Sequence, residues 1–397
     1  MTSSEQGAML LYPRIRKSPY FWAAREHGVA MYSVYNRMYI PRHFGDPVAE
    51  YWNLLNNVNI TDVGVERAIE ITGPDAFTFT NMLVTRDLTK CEVGQCKYTF
   101  ITDASGGIIN DPVLLRLGQN HFWLTLADSD ALLWAKGLAV NSGLDVQIGE
   151  PDMGPLQVQG PKSLPLMVDL FGEGIREIGY YYFREFEFEG TRVLVSRTGY
   201  SAELGYEIYA FDGTKNGTKL WNAVIEAGKP YGLAPAGVCH LRRIEAGILA
   251  LGADIDLSTN PYEVGMGYPW MVNLDKEGGF VGADALRKIR DDGVKRQLAG
   301  LLIEGEPLGT YNDGSMIDSF EVTSEGTLVG KVTSACFSPR LEQNIGMAML
   351  PVELITVGTS LRVNVDGIFR DATVTEMPFV DSKKETPKQA VAASAGT

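Results

Sequence analysis

Four segments set polar or aromatic residues at the ends of apolar strand patterns, where side chains can line a cavity: SVYNRMYIP, GQCKYTFITDASGGIINDPVLLRL, SRTGYSAELGYEIYA and RRIEAGILALGADID. In the second, Asp111 follows the Gly106-Gly107 turn and an apolar strand end. A carboxylate so placed can accept a hydrogen bond from an amine and stabilise positive charge as it develops. The run Asn110-Asp111-Pro112 also reads simply as a capped turn. In the third, Glu207 stands between Tyr206 and Ile208 in an apolar strand, where a buried carboxylate needs donors. An exposed strand glutamate is the plainer alternative. Tyr35, Tyr98, Tyr200 and Tyr209 offer ring faces and hydroxyls to a ligand, or fill a core. Arg243 offers a rigid fork for a carbonyl or carboxylate. Its alternative is an ion pair with Glu245 or another surface acid.

Other chemistries are poorly served. His27, His43, His121 and His240 are scattered, with no HExxH or Cys/His spacing, so no metal site is expected. Phosphate-loop, nucleophile-elbow and strand-linked dinucleotide motifs are missing, and Gly265 to Trp270 carries only part of a glycine fingerprint. A net charge of -14 argues against nucleic acid and anionic membranes, and fits poorly with an acidic protein partner. Cys91, Cys96, Cys239 and Cys336 form no CxxC pair and read as packed thiols. No run of about 18 apolar residues exists and the start lacks signal-peptide order, so a cytoplasmic protein is expected.

The elements that must position these residues begin with a repeat. IEITGPDAFTFTNML and LQVQGPKSLPLMVDLF each run from an alternating strand through Gly-Pro into a helical pattern, with Gly73 and Gly160 87 residues apart. Two related α+β units follow from it. FWLTLADSDALLWAKGLAV predicts a strand, a cap among Asp128, Ser129 and Asp130, and a helix. FREFEFEGTRVLVSR predicts a hairpin turning at Glu189-Gly190, and Leu220, Trp221, Val224 and Ile225 mark a helix ended by Pro230. Beyond about residue 290 short strands take over, including arms around Asp366-Gly367, and predict a compact β-barrel. The division expected is 1–150, 151–290, a barrel over 291–380, and a disordered tail over 381–397.

GQCKYTFITDASGGIIND, QGP, SRTGYSAELGYEI, RRIEAG, FVGADAL and GKVTSACFSPRLEQNIGMAM resemble, in order, the successive motifs of the glycine-cleavage T-protein (aminomethyltransferase) superfamily. Within it RIRKSPY, SVYNRM, INDPV, FWLTLADSDALLWAKG and NPYE resemble the dimethylsulfoniopropionate (DMSP) demethylase branch. Arg37, Thr61 and Lys97 depart from that branch, where a His, a Trp and an aromatic residue are usual, and the resemblance implies that they fall on the substrate side.

The resemblance implies an α+β, three-domain ring around a central folate channel. It also implies tetrahydrofolate as the one-carbon acceptor and a small onium substrate such as DMSP as methyl donor. Asp111 is then catalytic, near folate N5; Tyr98, Glu207, Tyr209 and Arg243 bind the folate; Tyr35 and Tyr200 belong to the substrate pocket. The double acid usual in the aminomethyltransferases is Asn110-Asp111 here, which, with the charge, leans away from a lipoyl carrier protein as partner. An aminomethyltransferase and a folate-binding protein without catalysis are the alternatives, and a homodimer is left open.

Overall fold

The structure, a computed structural model, describes residues 12–310 and 319–389. The repeated motif forms the same turn twice. Ala68–Thr72 passes through Gly73 and Pro74 into the helix Ala76–Leu83, and Met153–Gln159 passes through Gly160 and Pro161 into the helix Ser163–Phe171. Both glycines have positive φ, 113° and 130°. A Cβ at Gly73 would meet the Asp145 carbonyl oxygen at 2.6 Å, and one at Gly160 the Asn57 carbonyl oxygen at 2.5 Å. Only a residue without a side chain makes this turn against a neighbouring chain.

The first copy lies in a five-stranded sheet, ordered Gln147–Gly149, Ala68–Thr72, His121–Thr125, Val113–Gly118 and Cys96–Tyr98. The second lies in a six-stranded sheet, ordered Phe183–Phe188, Thr191–Ser196, Gly205–Phe211, Met153–Gln159, Val58–Asp62 and Leu233–Pro235. Helices Ala76–Leu83 and Ala131–Val140 pack on the first sheet, and Ser163–Phe171 and Gly213–Gly228 on the second. Leu220, Trp221 and Val224 turn the apolar stripe of the last helix into the core. Leu115 and Trp123 of one sheet meet Leu194 and Tyr209 of the other in a shared apolar seam.

Chain order misleads at one point. Val58–Asp62, placed by the sequence division in the region 1–150, pairs with Met153–Gln159 and Leu233–Pro235 in the second sheet. Residues 63–67 therefore cross from one sheet to the other. Backbone hydrogen bonds set this boundary, and they are blind to distance along the chain.

Arg296–Ile303, Gln343–Pro351, Thr327–Ser338, Phe320–Ser324, Ser360–Val365 and Ile368–Thr375 close into a barrel, the last strand pairing with the first. Asp366-Gly367 and Glu189-Gly190 form two-residue hairpin turns with positive φ at both positions, as their residue types predict. The barrel interior is filled by alternating residues such as Val322, Val332, Leu361, Val363 and Val374.

The tail expected over 381–397 requires correction in its first part. Glu385–Lys388 forms a short helix and Pro387 is buried. Arg197 donates to the Pro387 carbonyl oxygen at 3.2 Å and to that of Gln389. The segment docks through main-chain carbonyls, which leave no mark in side-chain composition. The remainder of the expected tail lies outside the described residues. Among the described residues no helix is long and apolar enough to cross a membrane, and the four cysteines are free thiols.

Candidate active site

A cavity of about 510 Å³ takes its walls from both sheets, the hairpin around Tyr35, the segment 247–253 and the docked C-terminal segment. The hairpin Met31–Tyr35 and Met38–His43 turns at Asn36 and Arg37, both with positive φ. The Asn36 amide donates to the Val65 and Leu126 carbonyl oxygens at 3.1 and 3.2 Å, which fixes Tyr35 at the cavity wall. Arg37 turns outward to Asp130 at 2.9 Å, both exposed.

Asp111 leaves the strand Ile108–Asn110 with its neighbour anchored. The buried Asn110 amide donates to the Ala127 carbonyl at 3.0 Å and the Ser129 hydroxyl at 2.8 Å. The Asp111 carboxylate faces the cavity, accepting the Tyr98 hydroxyl at 3.0 Å and its own main-chain N–H. Burial pushes this carboxyl up to about 7, against the pull of the Tyr98 hydrogen bond. Tyr98 itself is raised well above the usual phenol range by burial and by the Asp111 charge, so it remains a donor.

Glu207, in the strand Gly205–Phe211, is the most fully satisfied acid of the wall. It accepts from the Gln157 amide at 2.8 Å, the Tyr209 hydroxyl at 3.0 Å and the Thr198 hydroxyl. A carboxylate has about four lone-pair sites, so roughly one remains for a ligand. Tyr209 is fully buried behind Glu207 and is not part of the wall; it holds the glutamate. Tyr200 does line the cavity, with its hydroxyl donating to the Leu249 carbonyl oxygen at 2.7 Å.

Arg243 is placed elsewhere. It is fully buried, pairs with Asp254 at 2.6 Å, donates to the Ser334 hydroxyl at 2.7 Å, and is not on the cavity wall. The ion-pair alternative named the wrong acid, because Glu245 accepts instead from Tyr51, Ser338 and Arg340. Thr61 and Lys97 are also off the wall, as is Arg37. The departures expected near the substrate therefore do not face the cavity. Lys97 neighbours Tyr98 in one strand, so their side chains point to opposite faces.

Sequence reasoning missed several wall residues. Glu66, on the crossing between the sheets, lines the cavity, and among the described residues its carboxylate has no hydrogen-bond or ion-pair partner. Burial above all, then the Glu207 and Asp111 charges, push it well above the usual carboxylate range. Arg197 and Lys384 bring positive charge to the wall beside Pro387. His240 is held well below the usual imidazole range by burial and the Arg243 and Arg42 charges, and is neutral. Glu66 carried one weak signal, an acid between two strand patterns beside an apolar valine.

Comparison with known proteins covers nearly the whole chain. The GCVT N-terminal domain model matches residues 21–276, and the glycine cleavage T-protein C-terminal barrel domain model matches 296–381. The first of these spans both sheets as one domain. A protein of Ruegeria pomeroyi named dimethylsulfoniopropionate demethylase is 34% identical over 363 residues, covering 91% of this chain and 97% of its own. An aminomethyltransferase of Caldanaerobacter subterraneus is 32% identical, covering 82% of this chain and 85% of its own. One from Thermotoga neapolitana is 33% identical, covering 86% and 91%. The crystal structure of the glycine cleavage system aminomethyltransferase T from Bartonella henselae superposes with a TM-score of 0.81 at 21% identity, over 93% of this chain and 99% of its own.

Proposed function

The chain belongs to the glycine-cleavage T-protein (aminomethyltransferase) family, and on that premise we propose that it is a tetrahydrofolate-dependent methyltransferase. It takes a methyl group from a small onium substrate such as DMSP and gives 5-methyltetrahydrofolate. The observation that carries this reading is the meeting of Asp111, Glu66 and Glu207 on one cavity wall, none of them ion-paired among the described residues. Arg197 and Lys384 also bring positive charge to the wall, but no ion pair joins either to these three acids among the described residues, and carboxylates so left favour a positively charged ligand. Similarity to the protein named as a DMSP demethylase supports the choice of donor.

The cavity falls within the range of about 300–1,000 Å³ common for small-molecule sites. Glu207 would accept one N–H of the pterin through the acceptor position that Gln157, Thr198 and Tyr209 leave open, and a second only if one of those donors gives way. Tyr209 is then a positioning residue. When bound, tetrahydrofolate supplies the nucleophilic N5 that accepts the one-carbon unit. Asp111 takes up the N5 proton on an oxygen, and Tyr98 keeps that carboxylate in place. A group titrating near 7 is suited to receive a proton at neutral pH. The carbon–sulfur bond breaks with its electron pair going to sulfur, and a neutral thioether needs no acid to leave. The rest of the catalysis is alignment of donor and acceptor and exclusion of water.

Aminomethyl transfer is the second reading, favoured by the relatives of that name at 32% and 33% identity. One experiment separates the two. Purified protein is incubated anaerobically with tetrahydrofolate and DMSP, and 5-methyltetrahydrofolate and methylmercaptopropionate are followed by mass spectrometry. Both products at enzymatic rates are expected. Their absence, with tetrahydrofolate still bound, removes DMSP as donor and moves the search to other onium or aminomethyl compounds.

A further inference from the structure

The four carboxylates of the cavity wall are not equivalent, and Glu203 is paired with Arg242 at 2.7 Å. Glu207 accepts three side-chain donors and Asp111 accepts one. Glu66 accepts none among the described residues, although a guanidinium is next to it in sequence. Arg67 turns away instead, donating through Nε to Glu150 at 2.9 Å. The crossing that carries Glu66 is rigidly held. The Glu66 amide donates to the Val63 carbonyl at 2.9 Å, the Asn36 amide grips Val65, and Leu126 donates to the Arg67 carbonyl at 2.8 Å. The side chain is thus presented to the cavity by a fixed main chain, with no partner among the described residues.

A group in this state lowers the stability of the empty protein, because a half-buried carboxylate without donors must either stay protonated or lose part of its hydration uncompensated. A ligand cation offsets that cost. Among the described residues no three His, Cys, Asp or Glu side chains gather as metal ligands, so a small divalent ion finds no chelate here. A bulky ion of low charge density needs no chelate. One carboxylate at ion-pair range and aromatic faces around it are sufficient. Tyr35 and Tyr200 line the same cavity, and the Glu66 charge bears on both.

Resting on the function proposed above, we infer that Glu66 is the counter-ion for the permanent positive charge of the donor, and makes the site selective for onium compounds over neutral molecules of the same shape. It binds the substrate and takes no part in the bond changes.

The test compares wild type with Glu66→Gln by calorimetric titration, using tetramethylammonium and the similarly shaped neutral tert-butanol. 5-Methyltetrahydrofolate is present so that no transfer can occur. Wild type is expected to bind tetramethylammonium at least tenfold more tightly than the Gln variant, while tert-butanol binds both alike. Glu66→Asp, which keeps the charge and withdraws it by one methylene, should fall between them. The Gln variant should melt higher than wild type by roughly 2 °C or more, since it loses an unpaired half-buried charge. Equal tetramethylammonium affinity in wild type and Gln variant, or none in wild type, overturns the inference. So does a Gln variant that loses 5-methyltetrahydrofolate and keeps the cation, which makes Glu66 a folate contact. Cation selectivity that depends on Glu66, found without methyl transfer from DMSP, upholds the counter-ion and sinks the demethylase reading alone.

Discussion

Around the helix His240–Glu245 the buried charges are matched by opposite charges, whereas Glu66, Asp111 and Glu207 line the cavity with no cation paired to them among the described residues. Arg242 pairs with Glu203 at 2.7 Å, Arg243 with Asp254 at 2.6 Å, and Glu245 with Arg340 at 2.7 Å. Ser334, Ser338 and Tyr51 take up the remaining acceptor capacity. Several of these partners are barrel residues, so the network fastens the barrel to the helix. The cavity wall has the same kind of residues, Glu207 buried and Glu66 and Asp111 half-buried, and the opposite outcome. Where the protein completes its own ion pairs it builds a joint; where it leaves charge uncompensated it leaves room for a ligand to complete it.

The comparison can be broken at either end. Arg243→Ala strands Asp254 in the joint, and should cost about 3–5 kcal/mol in denaturant unfolding. A loss below about 1 kcal/mol, the size of an exposed pair, would mean that the joint is not what holds the barrel. Asp111→Ala should leave stability intact, or raise it, and lower turnover by about 10²–10³, the usual effect of losing a group that stabilises transition-state charge. Folate affinity should stay within an order of magnitude, and full activity would remove the catalytic assignment.

The same residue gives a pH signature. With its carboxyl raised to about 7 in the folded protein from 3.8, Asp111 contributes stability that is complete below pH about 4 and lost as pH rises through about 7. The form of kcat/KM that needs the anion should rise over that same interval; a flat profile through pH 7 would exclude it. Glu207→Ala should weaken folate binding by about 1–3 kcal/mol, the cost of leaving donors without an acceptor, measured by fluorescence titration. Unchanged affinity would remove the pterin contact. The smallest effect belongs to Arg37→Ala, which removes an exposed pair with Asp130. It should change stability by no more than about 1 kcal/mol and leave turnover unaltered; a shift in substrate preference would place the hairpin turn in the site after all.

Much of this architecture was legible in the residues. The Gly-Pro repeat, the hairpins at Glu189-Gly190 and Asp366-Gly367, and the alternation of the barrel strands are local signals, and each is found where the pattern put it. Asp111, Glu207, Tyr35, Tyr98 and Tyr200 lie in segments with polar or aromatic residues at strand ends and were assigned to a site by the family resemblance, and all five line the cavity. Arg243 and Tyr209 were singled out on the same grounds and are not on the wall, because a strand end or a helix start fixes where a side chain begins and not which neighbour it meets. The docked segment after Asp381 was illegible, since Arg197 holds it by main-chain oxygens.

Sequence alone thus determined the elements, their turns and the family, since φ preferences, period-two and period-3.6 burial, and ordered motifs are properties of neighbouring residues. Only the tertiary structure decided which charges are paired. Val58–Asp62 joins the second sheet and so carries Glu66 across the seam to the cavity, while Arg67 beside it finds Glu150 and Arg243 finds Asp254. Ion pairing depends on distances of a few ångströms between segments far apart in the chain, and those distances exist only once the sheets have packed.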